Sequence, residues 1–113
     1  YQKNPHKFIK KSNIFILSST YEGLPNVLLE ALTLKKFIIS TDCPTGPKEI
    51  LNNGKYGLLY KVGNHADLFN KIINYNKNKS KYKNYIVNGY KSLNRFNFNN
   101  NCKGYLNLIR KHL

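Results

Sequence analysis

The chain is poor in negative charge. Its 113 residues hold five Asp and Glu against 19 Lys and Arg, a formal net charge of +14. Trp and Met are absent, and the two cysteines, Cys43 and Cys102, stand in no metal-ligand spacing. They read as two reduced thiols of a cytosolic protein. No apolar run approaches the ~18 residues of a membrane span, which argues against an integral membrane segment. Zinc-finger spacings and aromatic RNP-type motifs are missing, so no nucleic-acid module is legible. There is no internal repeat, and only Asn74 to Asn84, where Asn and Lys alternate, approaches low complexity. The start, Tyr1-Gln2-Lys3-Asn4-Pro5, has neither Met nor the charged and apolar regions of a signal peptide. The expectation is a segment cut from something longer.

What is present suffices for one small domain. The chain is 41% hydrophobic, and a chain of this length buries roughly 65% of its unfolded surface. Its charge is uneven. Residues 1–67 hold all five acids and nine Lys, a net of +4; residues 68–113 hold eight Lys, two Arg and no acid, a net of +10. Such a field attracts phosphates, nucleic acid or anionic lipid. However, Lys outnumbers Arg 17 to 2 and Asn occurs 18 times. That is the bias of an AT-rich genome, and a dedicated nucleic-acid binder carries more Arg. Nucleic acid is therefore not expected as a partner.

The hydrophobic pattern alternates between strands and helices. Pro5 followed by Phe8-Ile9 suggests a short basic helix. Ile14 to Leu17 is a continuous apolar run that reads as a buried parallel strand. Pro25 suits the first position of a helix over Asn26 to Leu34. Phe37 to Ser40 reads as a second buried strand, Pro47 to Leu51 as a helical turn, and Asn52-Asn53-Gly54 as its left-handed cap. Gly57 to Tyr60 is a third strand. Asn64 can cap a helix from His65 to about Asn76, with Leu68, Phe69, Ile72 and Ile73 on its apolar face. Further helices are expected over Ser80 to Leu93 and Asn99 to Leu113, the last with Cys102, Tyr105, Leu106, Ile109 and Leu113 on one stripe. This order implies an α/β fold, a Rossmann-like parallel sheet flanked by helices. Three strands are few for a free-standing sheet of that kind, and their faces need more structure to lean on.

The scarce acids carry the most chemistry. Two of the five, Glu22 and Glu30, stand eight positions apart in Tyr21-Glu22-Gly23-Leu24-Pro25-Asn26-Val27-Leu28-Leu29-Glu30. Glu22 falls in the loop leaving the carboxyl end of a strand, the edge where open α/β sheets bind ligands. Glu30 falls in a helix that is apolar at almost every other position, so burial on most sides is expected. A carboxylate there needs a partner, and its neighbours Thr33 and Leu34 supply no cation. A Lys from elsewhere is one candidate. Ribose or hexose hydroxyls are another, because they donate well to an ionised carboxylate. The helix start at Leu24 to Val27 offers free backbone N–H groups and a positive dipole end to a phosphate.

Glu22-x7-Glu30, set between the strands Ile14 to Ser18 and Phe37 to Ser40, resembles the E-x7-E motif of retaining GT-B glycosyltransferases of the glycosyl transferases group 1 family, bacterial polysaccharide type. Asn4-Pro5 through Ser12-Asn13, Ser40 through Leu51, and Asn53-Gly54-x-x-Gly57-Leu58-Leu59 resemble further family segments in order and spacing. The resemblance covers nearly all 113 residues and implies the donor-binding C-terminal domain of the GT-B fold, truncated at its N-terminal side. It implies that Glu22 is the catalytic carboxylate contacting the donor hexose, and that Gly23, Leu24, Pro25, Asn26 and Val27 add donor contacts. Glu30 would bind the ribose. No metal and no cofactor are implied beyond the nucleotide-sugar co-substrate, and the acceptor is a glycan or lipid-linked glycan.

The family's acceptor domain, its Gly-rich loop and the Arg/Lys pair for the diphosphate fall outside these residues; Lys48 lies in a related loop but does not match that pair. Activity is therefore expected only with the missing N-terminal domain or a complementing chain. The location implied is cytoplasmic, with peripheral contact to an anionic membrane a possibility raised by the basic end. The alternative is a basic module for polyanions or a membrane surface that keeps a vestigial sugar site. Lys77, Lys79, Lys81 and Lys83 form an i+2 series that cannot share one helical face, and the simplest reading of it is a solvated loop.

Overall fold

The computed structural model describes residues 3–97 together with 106, 107, 110 and 111. Helix α1 (His6–Lys11) leads into strand β1 (Ile14–Leu17), helix α2 (Asn26–Thr33) and strand β2 (Phe37–Thr41). The short helix α3 (Pro47–Ile50), strand β3 (Leu58–Tyr60), helix α4 (His65–Lys77) and helix α5 (Lys83–Ser92) follow. The strands form one parallel sheet in the order β1-β2-β3, with Ile14 opposite Phe37 and Ile39 opposite Leu58. This is the expected α/β architecture, with strand positions within one residue of those expected from the sequence.

The central strand explains the layering. Every residue of β2 is buried, and its side chains alternate between the two faces. Ile38 joins Leu17, Leu28, Ala31, Leu32, Ile50 and Leu51 on the side of α2 and α3. Phe37 and Ile39 join Tyr60, Tyr75 and Tyr82 on the side of α4. Phe37 stacks on Tyr75 with ring centroids 4.2 Å apart and meets Tyr82 at 4.9 Å. These are geometries in which an aromatic pair gains about 0.5–1.5 kcal/mol beyond its buried area.

The sheet is covered unevenly. Ile16 pairs with Ile39 in register and so lies on the aromatic face, yet it is 40% exposed. Among the described residues the outer edge of β1 is unpaired. Phe8 and Leu24 are also exposed. Exposed apolar side chains also occur away from β1: Phe69, expected on the apolar face of α4, is exposed, as are Val87 and Tyr90 of α5.

Some local expectations change. Pro25 sits one residue outside α2, with φ −74° and ψ 94°; its extended ψ makes it the cap rather than the first helical residue. The helix expected over Ser80 to Leu93 is divided into a 3₁₀ turn over Lys79–Tyr82, helix α5, and a 3₁₀ turn over Leu93–Phe96. The first turn seats Tyr82 against Phe37. The Lys77 to Lys83 stretch is accordingly mostly helical rather than a loop, although all four lysines are exposed. Asn64 caps α4 as expected, its Oδ1 accepting from Asp67 N at 3.0 Å. Asn52, Asn53 and Gly54 all take positive φ, the left-handed stop anticipated after α3. The expected helix Asn99 to Leu113 lies mostly outside the described residues. Of its apolar stripe only Leu106 is described, and it is exposed.

Replacing Phe37 by Ala is expected to cost about 3–5 kcal/mol, because a fully buried ring leaves a cavity. Replacing the exposed Phe69 should change stability by less than about 0.5 kcal/mol. Urea unfolding of the two variants checks this contrast. Burial also pushes the Tyr60 phenol above its ordinary range. The unfolded chain therefore loses that proton first as pH rises past about 10, and stability falls there. Tyr60→Phe should remove this part of the alkaline loss, read as a smaller drop in unfolding midpoint between pH 8 and pH 11.

Candidate functional site

The β1–α2 unit carries both acidic residues singled out in the sequence, and each is held by a different neighbour. Beyond Leu17 the chain leaves the sheet at the carboxyl ends of the parallel strands. There Ser19 Oγ donates to Glu22 Oε1 at 2.6 Å, the short distance of a hydroxyl meeting a carboxylate oxygen. Glu22 is half-buried, while Gly23 and Leu24 are exposed beside it. Pro25 is buried and turns the chain into α2, where Asn26 is exposed and Val27 half-buried. No side chain caps α2, so its first N–H groups remain open to a ligand. The aligned peptide dipoles make that end favourable for negative charge.

Glu30 differs from expectation. Helix α2 buries Leu28, Ala31 and Leu32 against the sheet, and Glu30 lies off that stripe with its side chain 40% exposed. Its partner is neither a Lys nor a residue of its own helix. His6 Nε2 of α1 approaches Glu30 Oε2 at 3.1 Å. His6, Glu30, Thr33 and Leu34 line a small cleft of about 210 Å³. Glu30 is therefore not the carboxylate buried on most sides that the apolar sequence around it led one to expect. The helix is amphipathic, and the loss of solvation at Glu30 is partial.

The loop after β2 braces the loop after β1. Thr41 Oγ1 donates to Ser19 O at 2.7 Å, and Thr45 Oγ1 donates to the Glu22 carbonyl. Gly46 packs directly beneath Gly23 and Pro25. Asp42, at the end of β2, meets Lys48 Nζ at 3.4 Å, so Lys48 is engaged within its own loop. Arg95 reaches across to the end of α3 and donates to Ile50 O at 2.8 Å and Glu49 O at 3.3 Å. The surface between these groups is an open groove of about 700 Å³, lined by Asp42, Thr45, Lys48, Asn53 and Arg95 among others.

Among the described residues Glu22 and Glu30 have no partner in common: Glu22 is tied to Ser19 and the β2–α3 loop, Glu30 to α1. The positions Gly23 to Val27 bridge them along the chain. Sequence reasoning missed Ser19, His6, Thr45 and Gly46 as neighbours of these carboxylates. For His6 a faint signal existed, since Glu30 had no cation within its own helix. For Thr45 and Gly46 none did, because their contacts depend on how two loops distant in sequence approach; Ser19 lies only three residues from Glu22, but its contact depends on how the loop between them bends.

Comparison with known proteins bears on this arrangement. Residues 1–92 match the profile of the family described as "Glycosyl transferases group 1". The chain is similar to "Uncharacterized glycosyltransferase MJ1059" of Methanocaldococcus jannaschii, 52% identical over 53% of this chain and 18% of that protein. It is 34% identical to lipopolysaccharide 1,6-galactosyltransferase of Salmonella typhimurium, over 81% of this chain and 27% of that one. N-acetylgalactosamine-N,N'-diacetylbacillosaminyl-diphospho-undecaprenol 4-alpha-N-acetylgalactosaminyltransferase of Campylobacter jejuni is 33% identical over 61% of this chain and 19% of its own. The chain thus spans between 18% and 27% of the length of these relatives. The crystal structure of TarM superposes with a TM-score of 0.82 at 22% identity, covering 96% of this chain and 22% of that one. That agreement shows the fold. With the profile matching from the first residue through the end of α5, the chain belongs to the glycosyl transferases group 1 family, a family of sugar-transferring enzymes.

Proposed function

We propose that residues 1–113 are the nucleotide-sugar-binding part of a retaining glycosyltransferase that moves a hexose from a nucleotide donor to a glycan or lipid-linked acceptor. The observation that carries this reading is the β1–α2 unit. A carboxylate oriented by Ser19 stands at the carboxyl edge of a parallel sheet, next to an exposed loop and an uncapped helix start. In this reading Glu22 accepts from hexose hydroxyls, Gly23 to Val27 contribute backbone contacts to sugar and phosphate, and Glu30 accepts from the ribose. Charge that develops on the departing diphosphate is stabilised by the α2 dipole and nearby basic side chains, an electrostatic role. No metal ion is assigned a part. The acceptor site lies in a further domain or a complementing chain, and the 113 residues by themselves do not turn over donor.

The names of the relatives fit a donor module that serves acceptors attached to lipid. Four exposed lysines, Lys77, Lys79, Lys81 and Lys83, fit work at the cytoplasmic face of an anionic membrane. No helix among the described residues is long and apolar enough to cross one. The same lysines favour a second reading, a polyanion- or membrane-surface module with a vestigial sugar site. The two readings differ at the carboxylates, which only the first requires.

Hydrogen bonds to a charged group contribute about 1.5–3 kcal/mol, which corresponds to roughly 10- to 150-fold in affinity. Glu30→Gln should weaken binding of a nucleoside diphosphate and of its hexose conjugate alike by about tenfold or more. Glu22→Gln should weaken only the conjugate. Isothermal titration with both ligands reads the difference, and equal affinities in wild type and both variants would sink the donor-site reading. For the basic surface, co-sedimentation with vesicles of anionic and of neutral phospholipid should favour the anionic ones, with the preference lost at high salt. Equal recovery on both kinds of vesicle would remove the membrane contact.

A further inference from the structure

The loop that bears Glu22 does not hold its own shape. Ser19 orients the carboxylate, but the backbone of the loop is held from outside by the β2–α3 connection. Thr41 Oγ1 donates to the carbonyl of Ser19 at 2.7 Å, and Thr45 Oγ1 donates to the carbonyl of Glu22 itself. Gly46 closes the contact from below. A Cβ placed on it would stand 2.0 Å from the Gly23 carbonyl oxygen and 2.4 Å from Pro25 Cδ. The first of these obstacles is backbone and the second belongs to a rigid ring, so neither can swing aside. Thr45 and Gly46 both take left-handed backbone angles, with φ of 59° and 76°. For a β-branched threonine this is an unfavourable region, held only where the surroundings over-determine it. Two loops separated by about twenty residues are thus locked together at the point where one of them presents its carboxylate.

We infer that Thr45 and Gly46 are positioning residues for Glu22, and that the β2–α3 loop sets how strongly the site engages the sugar part of a donor as distinct from its nucleotide part. The inference rests on the reading of Glu22 as the sugar contact. Its physical basis is reach. Glu22 is tied to the β2–α3 loop, whereas Glu30 is tied to α1 through His6. Loosening the first tie shifts Glu22 relative to the sheet edge and leaves Glu30 where it was. A small misplacement of a positioned group forfeits the hydrogen bonds it makes to a bound ligand.

The test compares wild type with Thr45→Val, Thr45→Ser and Gly46→Ala. Valine keeps the shape of threonine and removes the hydroxyl; serine keeps the hydroxyl. The probes are UDP and UDP-glucose, with GDP and GDP-mannose as a second pair, titrated calorimetrically. The measured quantity is the gain in affinity that the hexose brings over the bare diphosphate. Thr45→Val and Gly46→Ala are expected to lose most of that gain while binding the bare diphosphate within about threefold of wild type, and Thr45→Ser is expected to keep it. Amide hydrogen exchange supplies a readout independent of ligand. Exchange at Ser19 to Val27 should quicken in Thr45→Val while that of β2 stays unchanged, because the loss is local.

An equal loss for diphosphate and conjugate, or no loss for either, overturns the inference, as does exchange that quickens throughout the chain or not at all in Thr45→Val. If Gly46→Ala fails to fold, the valine and serine variants decide alone. A wild-type chain that gains nothing from the hexose overturns the reading of Glu22 on which the inference rests; the exchange result still decides whether the brace exists.

Discussion

Burial of β2 on both faces is the constraint from which the rest of the molecule follows. A strand wholly removed from water must pair its backbone groups along both edges, and here it does so with β1 and β3. Its alternating side chains then seed two separate apolar layers. The layer beneath α2 and α3 is aliphatic, and the layer beneath α4 is dominated by Phe37 and three tyrosines. Parallel pairing also forces each connection to cross a face and return. That brings the ends of β1 and β2 to the same edge of the sheet, so that both strands release their loops side by side. The contact between these loops, and with it the setting of Glu22, is a consequence of the sheet.

The distribution of charge acquires meaning only on this frame. The abundant lysines lie mostly on outer surfaces, and exposed positive charge of this kind adds little to stability. Four of the five carboxylates are engaged by a side chain. Glu22 accepts from Ser19, Glu30 faces His6, Asp42 faces Lys48 and Asp67 binds Lys71 within α4 at 2.7 Å. The two lysine pairs are partly exposed ion pairs of modest worth. Glu22 stands apart in having a neutral hydroxyl as its side-chain partner, which leaves it with acceptor capacity toward solvent.

The strands were legible because short β-branched and aromatic runs such as Ile14 to Leu17 and Phe37 to Ser40 match a two-sided buried strand and little else. The cap at Asn64 and the left-handed stop at Asn52 to Gly54 were legible because they depend on local backbone geometry. The region after Asn78 was less so. Its tyrosines suit a continuous helix by spacing alone, and what divides it is the packing of Tyr82 against Phe37, more than forty residues distant. The error at Glu30 has a similar root. Nearly every neighbour of Glu30 in sequence is apolar, but α2 turns Leu28, Ala31 and Leu32 inward and leaves Glu30 on a partly solvated side, where His6 of α1 approaches it.

The sequence by itself determined the class of fold, the placement of its three strands, the family to which the chain belongs and the two carboxylates on which a donor-site reading turns. All of these rest on residue type and on spacing within a few turns of chain. Only the tertiary structure decided that Glu30 is partly solvated and faces a histidine, that the outer edge of β1 is unpaired among the described residues, and that Thr45 and Gly46 brace the loop of Glu22. Each of these depends on which segments distant in sequence come within a few ångströms of one another. Hydrophobic periodicity names the face that a segment buries, but the neighbour it meets there is chosen by the packing of the whole sheet.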